Sequence, residues 1–276
     1  MTVPVKPVVT WVGSKGGILD NLLERLPDNY VFYYELFGGG AALRLALPPR
    51  RYSMVADANQ HLIRTYSMIV NDCASVASGL ANYREEYLAC SRDDKKNMFS
   101  RIRAEFRLDA QTRTDGPLQA ARFIFLNKTG FNGLYRENQA GEYNVSFGYR
   151  ERPALDPESL TAFSQAFAGT KLLHGDFRQF ISEPKGGDFL YLDPPYDGTY
   201  NSYTCSGFSN ADLQDLGQHC RHFDRMGVYW MVSNSDTPLV RDVFRGFRIG
   251  SIMAPRSVSR YGSGRGKVQE LIIRNY

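Results

Sequence analysis

Cysteine is scarce in this chain of 276 residues, and what there is stands apart. Cys73, Cys90, Cys205 and Cys220 form no C-x-x-C pair, so neither a disulfide framework nor a zinc site is suggested. The run His219-Cys220-Arg221-His222 has metal-ligating residue types, but no second ligand cluster accompanies it. Its expected place is the surface of a helix, and no metal is expected. No apolar stretch reaches membrane-spanning length. Residues 1–7 are short and proline-rich, without the apolar core of a signal peptide. A reducing, cytoplasmic setting is the expectation. The chain also lacks G-x-G-x-x-G, which disfavours a dinucleotide pyrophosphate, and Gly13-Ser14-Lys15-Gly16-Gly17 does not meet the P-loop pattern. A large charge excess is missing too. With 33 basic and 29 acidic residues the net charge is +4, which permits a polyanionic partner without demanding one.

What is present is aromatic. Seventeen Tyr and seventeen Phe leave rings to spare for stacking as well as packing. Apolar runs punctuated by glycine and acid give the organisation. Residues 31–37 read as a buried strand, broken by Gly38-Gly39-Gly40, with a helix from Ala41 to Leu47. Residues 52–56 read as a second strand ending at Asp57, followed by a helical pattern over 59–70. That order is the front half of a nucleotide-binding α/β unit. From 71 to 126 the texture turns polar and helix-prone, and 128–152 reads as irregular or hairpin. The α/β pattern then resumes with a helix over 157–167, strands at 171–174 and 189–192, a helix over 210–226 and a strand over 228–233. A helix from Pro238 and strands near Phe247 and Val268 follow. The expected domain is discontinuous, residues 1–70 with 151–276, and residues 71–150 emerge from it as an inserted subdomain.

The chemistry concentrates at strand ends. Asp193-Pro194-Pro195-Tyr196 directly follows the apolar run Phe189-Leu190-Tyr191-Leu192, at the carboxyl end of a strand where open α/β sheets bind ligands. An exocyclic aromatic amine is a poor nucleophile, because its lone pair is delocalised into the ring. The Asp193 carboxylate and the Pro194 carbonyl can accept both amine hydrogens and turn that lone pair outward. Proline stiffens the carbonyl by fixing φ, and Tyr196 offers a face for a base. Alone, the tetrapeptide reads equally well as a turn. Asp57 stands where an acid takes the two ribose hydroxyls of a nucleoside. Asp176, in His174-Gly175-Asp176-Phe177, could accept from an adenine amine while Phe177 packs on its ring. Each acid taken singly reads as a helix cap. Together they suit S-adenosylmethionine, a nucleoside that carries a sulfonium methyl donor.

These residues, in this order, resemble the Dam-type DNA adenine-N6 methyltransferases, the class in which cofactor motifs precede the target-recognition insert and D-P-P-Y follows it. Trp11-Val12-Gly13-Ser14-Lys15 is similar to the family's W-x-G-x-K, with Thr10 replacing the Lys common before the Trp. Glu35-Leu36-Phe37-Gly38-Gly39-Gly40 resembles its glycine motif, and Ala56-Asp57-Ala58-Asn59 resembles A-D-x-N. Leu126 to Arg136 and Gly141 to Gly148 resemble its DNA-reading stretch. Ser233-Asn234-Ser235 and Arg265 to Leu271 also fit.

The resemblance implies a Rossmann-like methyltransferase sheet with an inserted helical target-recognition subdomain. It implies S-adenosylmethionine held by Trp11, Lys15, Glu35, Phe37, Gly39, Asp57, Asp176, Phe177 and Asp193. The catalytic set would be Asp193, Pro194, Pro195 and Tyr196, and double-stranded DNA the substrate of a monomer. Duplex adenine must leave the stack before its amine can react. Phe131 is then a wedge for the vacated space, Asn132 a partner for the orphaned base, and Arg136 a fork for guanine O6 and N7. Leu134 would make apolar base contact. Ser146 stands where the family usually has Pro, and Arg150 near where it often has an aromatic, so GATC is the expected site with flanking preference open to change. The basic loop over 256–265 reads either as a clamp that orders on DNA or as a disordered loop. Competing readings are a cytosine-N4 enzyme, an RNA or protein-glutamine enzyme, and a DNA-binding protein with a vestigial fold. Asp rather than Ser or Asn at 193, the DNA-reading insert and the intact acids argue against each.

Overall fold

Four consecutive apolar residues, Phe189 to Leu192, are each no more than 1% exposed, as a strand covered on both faces must be. They form the central strand of a seven-stranded sheet in a computed structural model that describes residues 5–48, 52–196, 207–255 and 267–276. The strands are β1 (Tyr33–Glu35), β2 (Ser53–Asp57), β3 (Thr170–His174), β4 (Phe189–Leu192), β5 (Tyr229–Ser235), β6 (Arg248–Pro255) and β7 (Lys267–Arg274). Their order is β3-β2-β1-β4-β5-β7-β6. The first five run parallel, and β7 lies antiparallel between β5 and β6. This is the mixed α/β, Rossmann-like architecture expected. The chain works outward from β1 toward β3, then returns to β4 on the other side. In open α/β sheets ligands bind where the strand order reverses in this way, here at the carboxyl ends of β1 and β4.

Side-chain alternation along the strands sorts the core into layers. Leu190, Leu192, Trp230, Val232 and Tyr34 face one side, against α8 (Asn210–Arg225) and α9 (Pro238–Val243). Phe189, Tyr191, Met231 and Tyr33 face the other, against α1 (Leu19–Leu23) and α2 (Ala42–Ala46). Most boundaries fall within one or two residues of the sequence reading, and the first strand and the helix after the insert are shorter than expected. The first strand spans only Tyr33–Glu35, so Phe37 lies beyond it in the turn. The helix expected over 157–167 is α7 (Ser159–Ala166). The metal-like run also sits differently from expectation. It lies on α8, but Cys220 is fully buried among Leu213, Leu216 and Phe223 rather than on the surface.

Between β2 and β3 the chain builds α3 (Gln60–Asn71), α4 (Cys73–Ala89), α5 (Arg92–Thr112) and α6 (Pro117–Thr129). Asn59 caps α3 by accepting from the Leu62 N–H. The polar helix α5 buries only one stripe, Met98, Phe99, Ile102 and Phe106, at the spacing of a helix face. Residues 130–148 form an irregular hairpin, held by bridges Gly130 to Phe147 and Glu137 to Tyr143. Arg103 and Arg107 on α5 donate to the carbonyls of Val145 and Tyr143, so these two arginines shape the hairpin from behind. One cluster joins Val8, Val55, Leu62 and Tyr66 to Phe106, Phe123, Tyr143 and Phe163. The interior is therefore continuous between sheet and insert. No helix among the described residues is long and apolar enough to cross a membrane. The loop over 256–265 and Cys205 lie outside the described residues.

Candidate active site

The turn after β4 brings Asp193 against the end of β5, because Leu192 pairs with Val232 in parallel register. Ser233 Oγ donates to Asp193 Oδ1 at 2.8 Å, and Ser233 is itself 2.8 Å from the Tyr191 hydroxyl. On the other carboxylate oxygen, Lys15 Nζ lies 2.7 Å from Oδ2. Lys15 is only 6% exposed, whereas the Asp193 side chain keeps 17%. Burial pushes the Asp193 carboxyl above its ordinary range, opposed by the Lys15 ammonium and the Ser233 hydroxyl. The same ammonium stands 4.7 Å from the centre of the Tyr196 ring. Tyr196 is fixed at its far end, where its hydroxyl donates to Glu270 Oε2 at 2.8 Å. Pro194 is buried and Pro195 half-buried beside them.

The turn after β1 stands at the same end of the sheet. Gly39 adopts φ +46°, and a Cβ there would fall 2.9 Å from Trp11 Cδ1. Glycine is thus required both by conformation and by the indole lying on it. Asp57 accepts from the Gly39 N–H at 2.8 Å and from the Asn59 N–H at 2.7 Å. Each carboxylate oxygen has a further lone pair, so Asp57 organises the turn and retains acceptor capacity. Phe37 and Phe177 stand 5.3 Å apart at the ends of β1 and β3. Asp176 is half-exposed and engaged by Arg178, which also binds Asp212 and Asp215. Gly39 thus meets both Trp11 and Asp57, Lys15 meets Asp193, and Phe37 meets Phe177 at the carboxyl ends of the parallel strands, with Glu35 buried at the end of β1 and Asp176 exposed after β3. A nucleoside with an anionic tail fits this set, since carboxylate acceptors, aromatic faces and a buried ammonium converge there.

Glu35 is the most confined of these acids. It is 2% exposed and accepts from the Tyr33 hydroxyl at 2.8 Å. Burial raises its carboxyl to about 8, against opposing help from Tyr33. The folded state therefore holds a proton that the unfolded chain, with an ordinary value of 4.5, has released. This contribution to stability is complete below about pH 4.5 and is lost as pH rises to about 8. Glu35→Gln, which stays neutral, is expected to melt above the parent protein at pH 9. At pH 5 the two should converge, and calorimetry across that range checks it. A constant gap would mean that Glu35 is ionised in the fold.

Of the residues expected to read DNA, Phe131, Asn132, Leu134, Arg136 and Ser146 lie on the hairpin and Arg150 follows it. Phe131 is 54% exposed, and its N–H donates to the Ser146 carbonyl at 2.8 Å. Asn132 is exposed with φ +55°. Arg136 is exposed, but its Nε and Nη2 both donate to the Asn144 carbonyl, which folds the fork back on the hairpin. Leu134 is half-buried against the core, and the Arg150 carbonyl accepts from Tyr87.

Glu270, Ser233 and Asn127 fall within stretches that resemble the family, but the sequence alone gives none of them an individual role. Glu270 reaches Tyr196 only because β7 enters the sheet next to β5, opposite Ser235. Strand order, not spacing, carries that signal. For Asn127, a buried amide near the end of an apolar helix was the clue available.

Comparison with known proteins places these features. Residues 11–258 match the family model described as D12 class N6 adenine-specific DNA methyltransferase. The chain is 33% identical over 288 residues to Type II methyltransferase M.MjaIII of Methanocaldococcus jannaschii, covering 99% of each. It is 31% identical to Type II methyltransferase M1.LlaDCHI of Lactococcus lactis subsp. cremoris, covering 99% of this chain and 96% of that one. With a DNA adenine methylase of Vibrio cholerae it shares 26% identity over 95% of this chain and 93% of the relative.

Proposed function

Because this chain belongs to the D12 class of N6 adenine-specific DNA methyltransferases, we propose that it methylates a flipped-out adenine within GATC, using S-adenosylmethionine. Asp57, the Phe37 and Phe177 rings, Trp11 and the Gly39 turn would hold that cofactor, which supplies an electrophilic methyl group on sulfur. Asp193 and the Pro194 carbonyl accept the two N6 hydrogens and aim the lone pair, while Tyr196 stacks on the base. The carbonyl is stiffened by proline, so little reorganisation is left to the reaction itself. The excess proton departs to water or to Asp193.

The observation that carries this reading is the place of Asp193. It stands where strand order reverses, partly open, between Lys15 and Ser233 and beside a Tyr196 ring fixed through Glu270. The Lys15 ammonium holds Asp193 and stands near the Tyr196 ring. An entering adenine amine competes with Lys15 for the same carboxylate, so Lys15 must yield or share Asp193.

Flipping follows from the chemistry, because a stacked adenine cannot reach a site at the end of a sheet. Phe131 is the wedge, Asn132 pairs the orphaned base, and Leu134 and Arg136 read the target edge. Arg136 would first release Asn144. Ser146 and Arg150 set the flanking preference. The protein acts on duplex DNA as a monomer in the cytoplasm of a bacterial or phage-infected cell.

Incubation with unmethylated duplex DNA and labelled S-adenosylmethionine, followed by single-molecule sequencing, tests this. The expected product is N6-methyladenine at GATC. N6-methyladenine elsewhere would refute the assigned site and point to residues 146 and 150. N4-methylcytosine, or no modified base from folded protein, would sink the proposal.

A further inference from the structure

Asn127 is 2% exposed and sits in the last turn of α6, just before the hairpin. Its amide is spent on two pieces of main chain, one of them remote in sequence. Oδ1 accepts from the Thr10 N–H at 2.7 Å, and Nδ2 donates to the Thr10 carbonyl at 2.9 Å. Nδ2 donates again, to the Gly133 carbonyl, at 3.0 Å. The side chain thus serves both peptide groups of residue 10, as a strand partner would, and clamps the first arm of the hairpin to them at Gly133. Two packing contacts reinforce the clamp. A Cβ on Gly133 would fall 2.7 Å from Thr10 Cβ, so the loop backbone lies directly on Thr10. Trp11 stacks on Tyr135 with ring centres 5.7 Å apart. Trp11 also lies on Gly39, in the turn after β1.

Two residues, Thr10 and Trp11, are therefore shared between the turn after β1 and the hairpin, and Asn127 fixes them to the hairpin side. We infer that Asn127 is a positioning residue that couples cofactor occupancy to DNA recognition. The inference rests on the functional reading above. A ligand that orders the indole on Gly39 orders Thr10 with it, and through the Asn127 amide it orders residues 131–136. Each ligand then meets a site already arranged by the other. Because coupling free energy is reciprocal, DNA must tighten the cofactor as much as the cofactor tightens DNA.

The test measures the affinity of a short target duplex by fluorescence anisotropy with and without saturating S-adenosylhomocysteine. Calorimetry gives the affinity of S-adenosylhomocysteine with and without duplex. In the wild-type protein each ligand should tighten the other by about tenfold. In Asn127→Ala each ligand alone should bind close to wild type, while the mutual enhancement falls toward one. Hydrogen exchange on the wild-type protein supplies a measurement independent of the variant's folding. S-adenosylhomocysteine should slow exchange over residues 131–136, which it does not touch in this reading. Wild-type binding of both ligands without enhancement, or unchanged exchange over 131–136, overturns the coupling and leaves the function standing. So does full enhancement in folded Asn127→Ala. Failure of the wild-type protein to bind S-adenosylhomocysteine overturns the functional reading and the coupling with it.

Discussion

Replacing Asp193 by Ala or Asn is expected to lower the rate of methyl transfer by about 10³-fold, the scale on which a positioned polar partner of the reacting group acts. Duplex and cofactor affinities should stay much nearer to wild type. The Asn variant is the sharper of the two. It keeps the shape of the side chain and an oxygen for Ser233, but it exchanges a carboxylate for an amide. Its amide nitrogen presents hydrogens to an amine that itself needs an acceptor. The wild-type protein should also lose activity on the acid side as Asp193 takes up a proton. Burial raises that carboxyl, so the loss should begin above the ordinary aspartate value of 3.8. Single-turnover rates across pH would check both statements. An Asn variant within tenfold of wild type, or one with an unchanged acid limb, would remove Asp193 from the chemistry.

The largest effect on stability is expected at Arg44. Its guanidinium is 1% exposed and ties together four parts of the fold. Nε lies 3.2 Å from both Ser53 Oγ on β2 and Thr170 Oγ1 on β3. Nη2 donates to the Ala166 carbonyl at the end of α7 at 2.6 Å, and Nη1 reaches the Leu47 carbonyl after α2. The group also stands over the Phe167 ring. Arg44→Met would fill the volume but leave buried carbonyls unpartnered, at a cost of about 3 kcal/mol or more. For a chain of this size that lowers the melting temperature by about 6–12 °C. Arg44→Lys should not rescue it, because one ammonium cannot reach acceptors set around a planar fork. A shift smaller than about 2 °C would show that these bonds contribute little net stability.

Much of the architecture was legible because strands buried on both faces leave strong traces. Phe189 to Leu192 reads as an uninterrupted apolar run, and the strand has those bounds. The acids followed, since Asp57 and Asp193 sit where a strand ends and polarity returns. Other features escaped for physical reasons. Val31 is 60% exposed and Phe37 lies in the turn, so the apolar run over 31–37 overstated β1. Cys220 was misplaced because the polar residues around it hide one inward position of a helix. Glu270 acquires its partner through the order of strands, and no local pattern specifies that order. In sequence, Arg103 and Arg107 are simply two of the charges spread through a polar, helix-prone segment. Their bonds to the hairpin carbonyls depend on a helix and a loop far apart in the chain.

The continuous interior bears on whether residues 71–150 can be exchanged as a unit. Leu62 and Tyr66 from the sheet side pack in one cluster with Phe106, Phe123 and Tyr143 from the insert, and with Phe163 beyond it. A transplant of residues 71–150 from a relative would place both seams across close-packed side chains rather than through solvent. Mismatched volumes at such seams cost about 1–3 kcal/mol each. A chimera that also carries its own counterparts of Leu62, Tyr66 and Phe163 keeps the jigsaw intact. The insert therefore does not behave as a cassette. Its interior travels with the fold, and exposed positions of the hairpin such as Phe131, Asn132 and Ser146 can change without disturbing that packing.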